Sequence, residues 1–193
     1  MKKQFIYILL LAFTTMVACK KEKKEVETIV EEVTTQEVIE KVAPKKIIIN
    51  LESKSDSNVS GTVVFTENNG EVKMVALISN LSKGTHAIHL HEKADCTSTD
   101  GKSTGGHWNP TVQQHGKWGD KTGYHIGDIG NFEADENGNG TITFVTDKWC
   151  IGCNDNTKNI IGKAVIVHEG TDDYTSQPSG AAGIRVSCGG IIK

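Results

Sequence analysis

The chain has 193 residues, a formal charge of −3, 20 glycines and 6% aromatic side chains. That length accommodates one domain with a sizeable core plus a tail. The acidic balance disfavours nucleic acid as a partner, and the glycine-rich, aromatic-poor make-up argues against a helical bundle.

The first element is a leader. Lys2 and Lys3 precede an unbroken apolar run over residues 5–13, followed by Thr14-Thr-Met-Val-Ala-Cys19. A basic start, a short apolar centre and small residues before a cut site describe a secretory signal over residues 1–18. The run is too short to span a bilayer, which takes about 20 residues. Cys19 after Val17-Ala18 resembles the lipid-attachment site of bacterial lipoproteins; a plain signal peptide is the other reading. Lipid on Cys19 implies a membrane-anchored chain in the cell envelope, facing the periplasm. Cleavage removes Lys2 and Lys3 and leaves 19 basic against 24 acidic side chains, a formal charge of −5. Residues 19–45 then read as a charged tether. Val26, Ile29, Val30 and Val33 fall at helical spacing, but the stripe is thin for a stable helix. Pro44 closes the tether, and one domain over residues 46–193 follows.

Within that domain, strand-like runs cover residues 47–53, 59–67, 72–79, 87–91, 140–146, 163–168 and 184–187. Turn residues separate them, as in Asn68-Asn-Gly70 and Glu136-Asn-Gly-Asn-Gly140. Short strands at regular intervals predict an all-β Greek-key barrel or sandwich of about eight antiparallel strands. Residues 93–124 and 169–183 lack strand character, and long irregular loops in a compact domain are usually functional.

The seven histidines are concentrated around those loops. His89 and His91 lie two apart on a strand, hence on one face, and can grip one metal together. His107, His115 and His125 follow in glycine-rich surroundings, with Asp128 close behind. Three imidazoles and a carboxylate form a donor set that zinc accepts in tetrahedral geometry. His168 ends a further apolar run, and His86 reads as a structural hydrogen-bonding residue. Cys150 and Cys153 form a Cys-x-x-Cys pair. In an oxidising compartment a short-loop disulfide is favoured, with a metal site or a redox role as alternatives.

Five blocks carry a resemblance to a known family. They are Gly84-Thr-His-Ala-Ile-His-Leu-His-Glu92, Gly106-His-Trp-Asn-Pro110, His125-Ile-Gly-Asp-Ile-Gly-Asn131, Val165-Ile-Val-His-Glu169 and Gly183-Ile-Arg-Val-Ser-Cys-Gly189. In this order they resemble the copper–zinc superoxide dismutases over residues 46–193. The resemblance implies copper held by His89, His91, His107 and His168, and zinc by His107, His115, His125 and Asp128. His107 would bridge the two metals. Asp172 would orient one ligand histidine of each metal. Cys96 and Cys188 would pair as the disulfide that pins the metal loop to the barrel.

The activity implied is dismutation of superoxide to dioxygen and hydrogen peroxide. His107 would move a proton, and Arg185 would hold the anion beside the copper. Ser179 stands where the family usually has threonine, while Ala181 and Ile184 replace residues expected to be polar. Residues 169–184 contain three acids and no lysine, so steering of the anion is expected to rest on Arg185, helped by Lys117 and Lys121. A non-catalytic copper- or zinc-binding envelope lipoprotein of the same fold is the alternative, and it would be expected to lack a copper ligand or the arginine. Neither is missing. The sequence leaves a homodimer open.

Overall fold

Eight strands and one short 3-10 turn make up residues 43–193, the part that the computed structural model describes. The leader, Cys19 and the tether up to residue 42 lie outside the described residues. The strands are β1 (Lys45–Ser53), β2 (Ser60–Asn68), β3 (Glu71–Ser79), β4 (Gly84–His91), β5 (Gly130–Ala134), β6 (Gly140–Thr146), β7 (Ala164–His168) and β8 (Arg185–Gly190). Every pairing is antiparallel, and the order β1-β2-β3-β6-β5-β4-β7-β8 closes into a barrel when β8 pairs with β1. The expected Greek-key barrel is present. Among the described residues, no helix is long and apolar enough to cross a membrane.

Local chemistry explains the first hairpin. Asn68 pairs with Glu71, leaving Asn69 and Gly70 as a two-residue loop with φ of 50° and 81°. Both central residues take the left-handed conformation that matches the strand twist. Alternation then fills the barrel. Val63, Phe65, Val72, Met74 and Ala76 are fully buried, while Thr62, Lys73 and Leu77 face out.

Two strands depart from simple alternation because both their faces are covered. β7 is buried along its whole length. Val165 and Val167 join the main core, whereas Ala164 and Ile166 pack with Cys188 and Cys96 under the disulfide. On β4, Ile88 and Leu90 enter the core, and His89 and His91, also fully buried, point the other way beneath the loops.

β5 is the strand missing from the sequence reading. It is five residues long, begins at Gly130 with φ 114°, and is bracketed by glycine-rich turns, so its alternation is too brief to stand out. β8 begins at Arg185 and runs on to Gly190, through glycines that weaken a strand pattern.

Both expected disulfides form. Cys96–Cys188 spans 92 positions with Cα atoms 5.9 Å apart, and Cys150–Cys153 closes a short ring. In the chain-entropy view the first contributes roughly 4 kcal/mol. Trp149, next to the short ring, is 1% exposed and packs between Phe65, Phe144 and Trp118. Its indole N–H donates to Ile126 O at 2.9 Å. Trp149→Phe keeps a ring in the core and leaves that carbonyl without its donor. A loss of about 1–3 kcal/mol is expected, measured by urea unfolding of the metal-free protein.

Candidate metal centre

Backbone pairing brings the loop histidines to the strand histidines. His107 forms an antiparallel bridge with His91, Trp108 N–H donates to Leu90 O at 2.8 Å, and Leu90 N–H donates to Gly127 O at 2.9 Å. Gly127 fits between them because a Cβ there would collide with Leu90 O. The loop that carries His107, His125 and Asp128 is thus laid along β4.

The result is two clusters sharing one residue. Ligand atoms of His89, His91, His107 and His168 lie within 4.8 Å of one another, and so do those of His107, His115, His125 and Asp128. All are buried. Second partners select which ring nitrogen is offered in the first cluster. His91 Nδ1 donates to Gly105 O at 3.0 Å, and His168 Nδ1 donates to Gly183 O at 3.3 Å. His89 Nε2 donates to Asp172 Oδ2 at 2.9 Å, and His107 Nδ1 donates to Asp128 Oδ1 at 2.8 Å. His89 Nδ1, His91 Nε2, His107 Nε2 and His168 Nε2 are left buried without a partner. Buried polar atoms are rarely orphaned. Four converging imidazole lone pairs suit copper.

In the second cluster His107 Nδ1 and His125 Nδ1 lie 2.8 and 3.1 Å from Asp128 Oδ1. His115 Nδ1 lies 2.9 Å from Asp128 Oδ2 without hydrogen-bond alignment. Three imidazoles and one carboxylate around one point suit zinc.

Asp172 joins the clusters. Its Oδ2 accepts from His89, and its Oδ1 accepts from His115 Nε2 at 2.8 Å and from Tyr174 N–H at 2.7 Å. Gly180, at φ 64°, leaves the room for this, since a Cβ there would collide with the carboxylate and the His115 ring. Two residues to which the sequence reading gave no role secure the arrangement. The Asn131 side chain donates to Asp172 O and accepts from Asp172 N–H, both at 2.8 Å. Gln177 does the same for the His115 backbone, at 2.9 and 2.8 Å. No spacing rule marks either residue, because each acts through its amide on another residue's backbone. His86 stands outside both clusters, donating from Nδ1 to His168 O at 3.0 Å, as its structural reading requires.

A cleft of about 500 Å3 opens over the first cluster, lined by His91, His107, His168, Ser179, Ile184 and Arg185 among others. Arg185 is aimed by the disulfide-pinned loop, its Nη1 donating to Gly101 O at 2.9 Å and Thr104 Oγ1 at 3.1 Å. Lys117 and Lys121 do not line this cleft. Lys117 lies over the Tyr174 ring instead, and the lysine at the mouth is Lys102, paired with Asp100 at 2.9 Å. Lys117 and Lys121 are near the zinc-side histidines in sequence, but the fold brings the cleft against Lys102.

Residues 59–191 match the family described as copper/zinc superoxide dismutase. The chain belongs to that family. An extracellular copper–zinc superoxide dismutase of Caenorhabditis elegans is 36% identical over 144 residues, 72% of this chain. The chain spans 63% of that relative's length. Two solved structures are similar to this barrel. A double mutant of a SOD-like protein from Bacillus subtilis is 30% identical with a TM-score of 0.68, covering 76% of this chain and 97% of that one. The clock protein EA4 is 35% identical with a TM-score of 0.67, covering 77% and 96%.

Charge balance in the metal-free site runs in two directions. Burial lowers His89, His91, His107 and His168, with His107 brought to about 4, so these rings are neutral at neutral pH and their lone pairs are available. Burial would also lower His115, but the facing Asp128 and Asp172 carboxylates outweigh it and raise the ring to about 9. Burial would raise both carboxyls, yet hydrogen bonds from the histidines hold them well below the usual carboxylate range.

Groups lowered on folding refuse protons that the unfolded chain accepts. The four histidines therefore cost stability as pH falls from about 6.5, and the two carboxylates as it falls below about 4. His115 acts in the opposite sense. Its contribution is complete below about 6.5 and lost as pH rises through about 9. Metal-free protein is expected to melt at its highest temperature near pH 6.5 to 7. A melting series in chelator from pH 4 to 10 checks this, and a curve still rising at pH 9 would contradict the His115–carboxylate pairing.

Proposed function

We propose that the chain dismutes superoxide to dioxygen and hydrogen peroxide at a histidine-bridged copper–zinc centre. The observation that carries this reading is one open cleft lined by both Arg185 and three of the four first-cluster histidines, whose nitrogens are orphaned. His89, His91, His107 and His168 would hold copper, and His107, His115, His125 and Asp128 would hold zinc. Bound copper, cycling between two oxidation states, would take the electron that one superoxide gives up and hand it to another.

The residues do the rest. Arg185 spends Nη1 on the loop, and among the described residues its other nitrogens take no protein acceptor, so they can hold the anion. His107 is the one member of both clusters. Its Nε2 faces the copper donors and is placed to hold a proton and pass it to the departing peroxide, while its Nδ1, 2.8 Å from Asp128, is on the side that would face zinc. Asp172 fixes which nitrogen His89 and His115 offer. All of these groups come from one chain, so the site needs no second subunit. A protein that only bound copper or zinc would have no use for a cation held at the open side of the cluster.

The reading extends to the cell envelope. A basic start, the apolar run over residues 5–13 and Cys19 after Val17-Ala18 support export, removal of residues 1–18 and lipid attachment at Cys19. A membrane-anchored dismutase facing the periplasm would protect the envelope from superoxide. Mass spectrometry of the mature N-terminus tests the lipid.

A cyanide-sensitive dismutase assay on metal-loaded mature protein tests the activity. His107→Ala is expected to abolish it and alter the copper spectrum, because one change removes a donor from both clusters. His115→Ala should mainly lower zinc content and thermal stability. Full metallation and wild-type activity in both variants would remove the bridge assignment.

Anion steering is expected to be weak, since Lys102 is paired with Asp100. Arg185→Ala should slow superoxide decay at least about tenfold, Lys117→Ala and Lys121→Ala each less than about threefold, with a shallow dependence on salt. Pulse radiolysis from low to physiological ionic strength measures all three.

A further inference from the structure

Four large apolar side chains stand exposed on one side of the barrel. Ile48 is 59% exposed, Leu77 57%, Val145 51% and Ile192 67%. The registers show why three of them share a face. Ile48 on β1 is level with Val64 on β2, Val64 with Val75 on β3, and Val75 with Thr143 on β6. An apolar row therefore crosses the outside of three strands and ends at Thr143 on the fourth. Leu77 and Val145 lie on the same outward face in the rows to either side. Ile192 joins at the β1 edge, in a groove of about 520 Å3 that it lines with Lys45, Lys46, Ile48 and Lys193. Contiguous exposed apolar surface of this kind marks an interaction site.

The charges identify the partner. Lys46 and Lys73 stand level with Thr66 in the row beside Ile48, and Lys193 is at the groove. Lys45 is offset by Glu67 at 3.2 Å. Among the outward positions that these registers align from Lys46 to Val145, none is acidic; Glu52 and Glu71 sit at the margins. A second copy would bring lysines without carboxylates to meet them. In a chain of net charge −3, a positive, apolar face suits an anionic bilayer, which offers phosphates to lysines and an acyl boundary to isoleucine and leucine.

Topology supports the same partner. The described residues enter the barrel through β1, an edge of this face. In the closed strand order β2 and β3 lie across the barrel from β4 and β7, which carry His89, His91 and His168. We propose that the outer face of β1, β2, β3 and β6 rests on an anionic lipid surface. Lys46, Lys73 and Lys193 contact headgroup phosphates, Ile48, Leu77 and Ile192 meet the acyl boundary, and the metal cleft is turned away from the bilayer.

Lipid on Cys19 would deliver the face to a membrane but is not needed for it to bind. The test therefore uses the metal-loaded chain from residue 19 with Cys19→Ser, mixed with vesicles of phosphatidylglycerol or of phosphatidylcholine and floated. The protein is expected to float with the anionic vesicles only, and less at high salt. Lys46→Glu, Lys73→Glu and Lys193→Glu should each lower partition at least roughly fivefold, the effect of about one basic residue near a charged surface. Ile48→Thr with Leu77→Thr should lower it further, and unchanged metal content and melting temperature show that these exposed changes leave the barrel intact.

Equal flotation with neutral vesicles would overturn the proposal. So would flotation that survives the triple lysine variant and is lost with Lys20→Glu and Lys21→Glu, which would assign binding to the tether. A concentration-dependent dimer that Leu77→Thr abolishes, with no vesicle binding, would assign the face to a second copy. Labelling of the wild-type chain with radioactive palmitate tests Cys19 separately.

Discussion

A carboxylate shut away from water must have its charge answered by donors, and Asp172, with a side chain 0% exposed, meets that demand by holding a histidine from each cluster. Much of the site's order follows from this. With Nε2 committed to Asp172, His89 can offer only Nδ1 to the first cluster, and His115 can offer only Nδ1 to the second. One carboxylate therefore sets two tautomers and two ring orientations. The space it needs explains Gly180, and the loop that brings it is tied down by Asn131 and Gln177.

Rigid strands and irregular loops divide the work. β4 and β7 supply three of the four histidines in the first cluster from positions sealed on both faces. The loops supply the rest, and each is stitched to a strand. His107 is held by pairing with His91, Arg185 by the loop pinned through Cys96–Cys188, and the His125–Asp128 turn by backbone bonds and by the Trp149 indole on Ile126. Functional groups on loops are then held nearly as firmly as those on strands.

Much of this is legible in the chain itself. The alternation of His89 and His91, the turn at Asn69-Gly70 and the clustering of histidines each follow from a short-range rule, and short-range rules can be read along a chain. What escaped were features set by long-range closure. β5 is too short for its period to declare itself. Asn131 and Gln177 act on residues dozens of positions away. Lys102, not Lys117 or Lys121, reaches the cleft because the disulfide folds its loop there. The Cys150–Cys153 pair had three readings from sequence; its ring closure beside Trp149 favours the structural one.

The two clusters also differ in how much of the chain each one spans. Every member of the second lies between His107 and Asp128, inside a single connection. The first must wait for His168 on β7, and the cleft above it for Arg185 on β8, the strand that meets β1 only when the whole chain is present. One cluster is a local object and the other a product of global closure. The four-histidine pocket needs β4 and β7 to pair, and the cleft above it needs Arg185 at the start of β8. The donors of the second cluster instead lie close together in sequence and reach across the fold through the bonds that Asp172 and Gln177 make to His115.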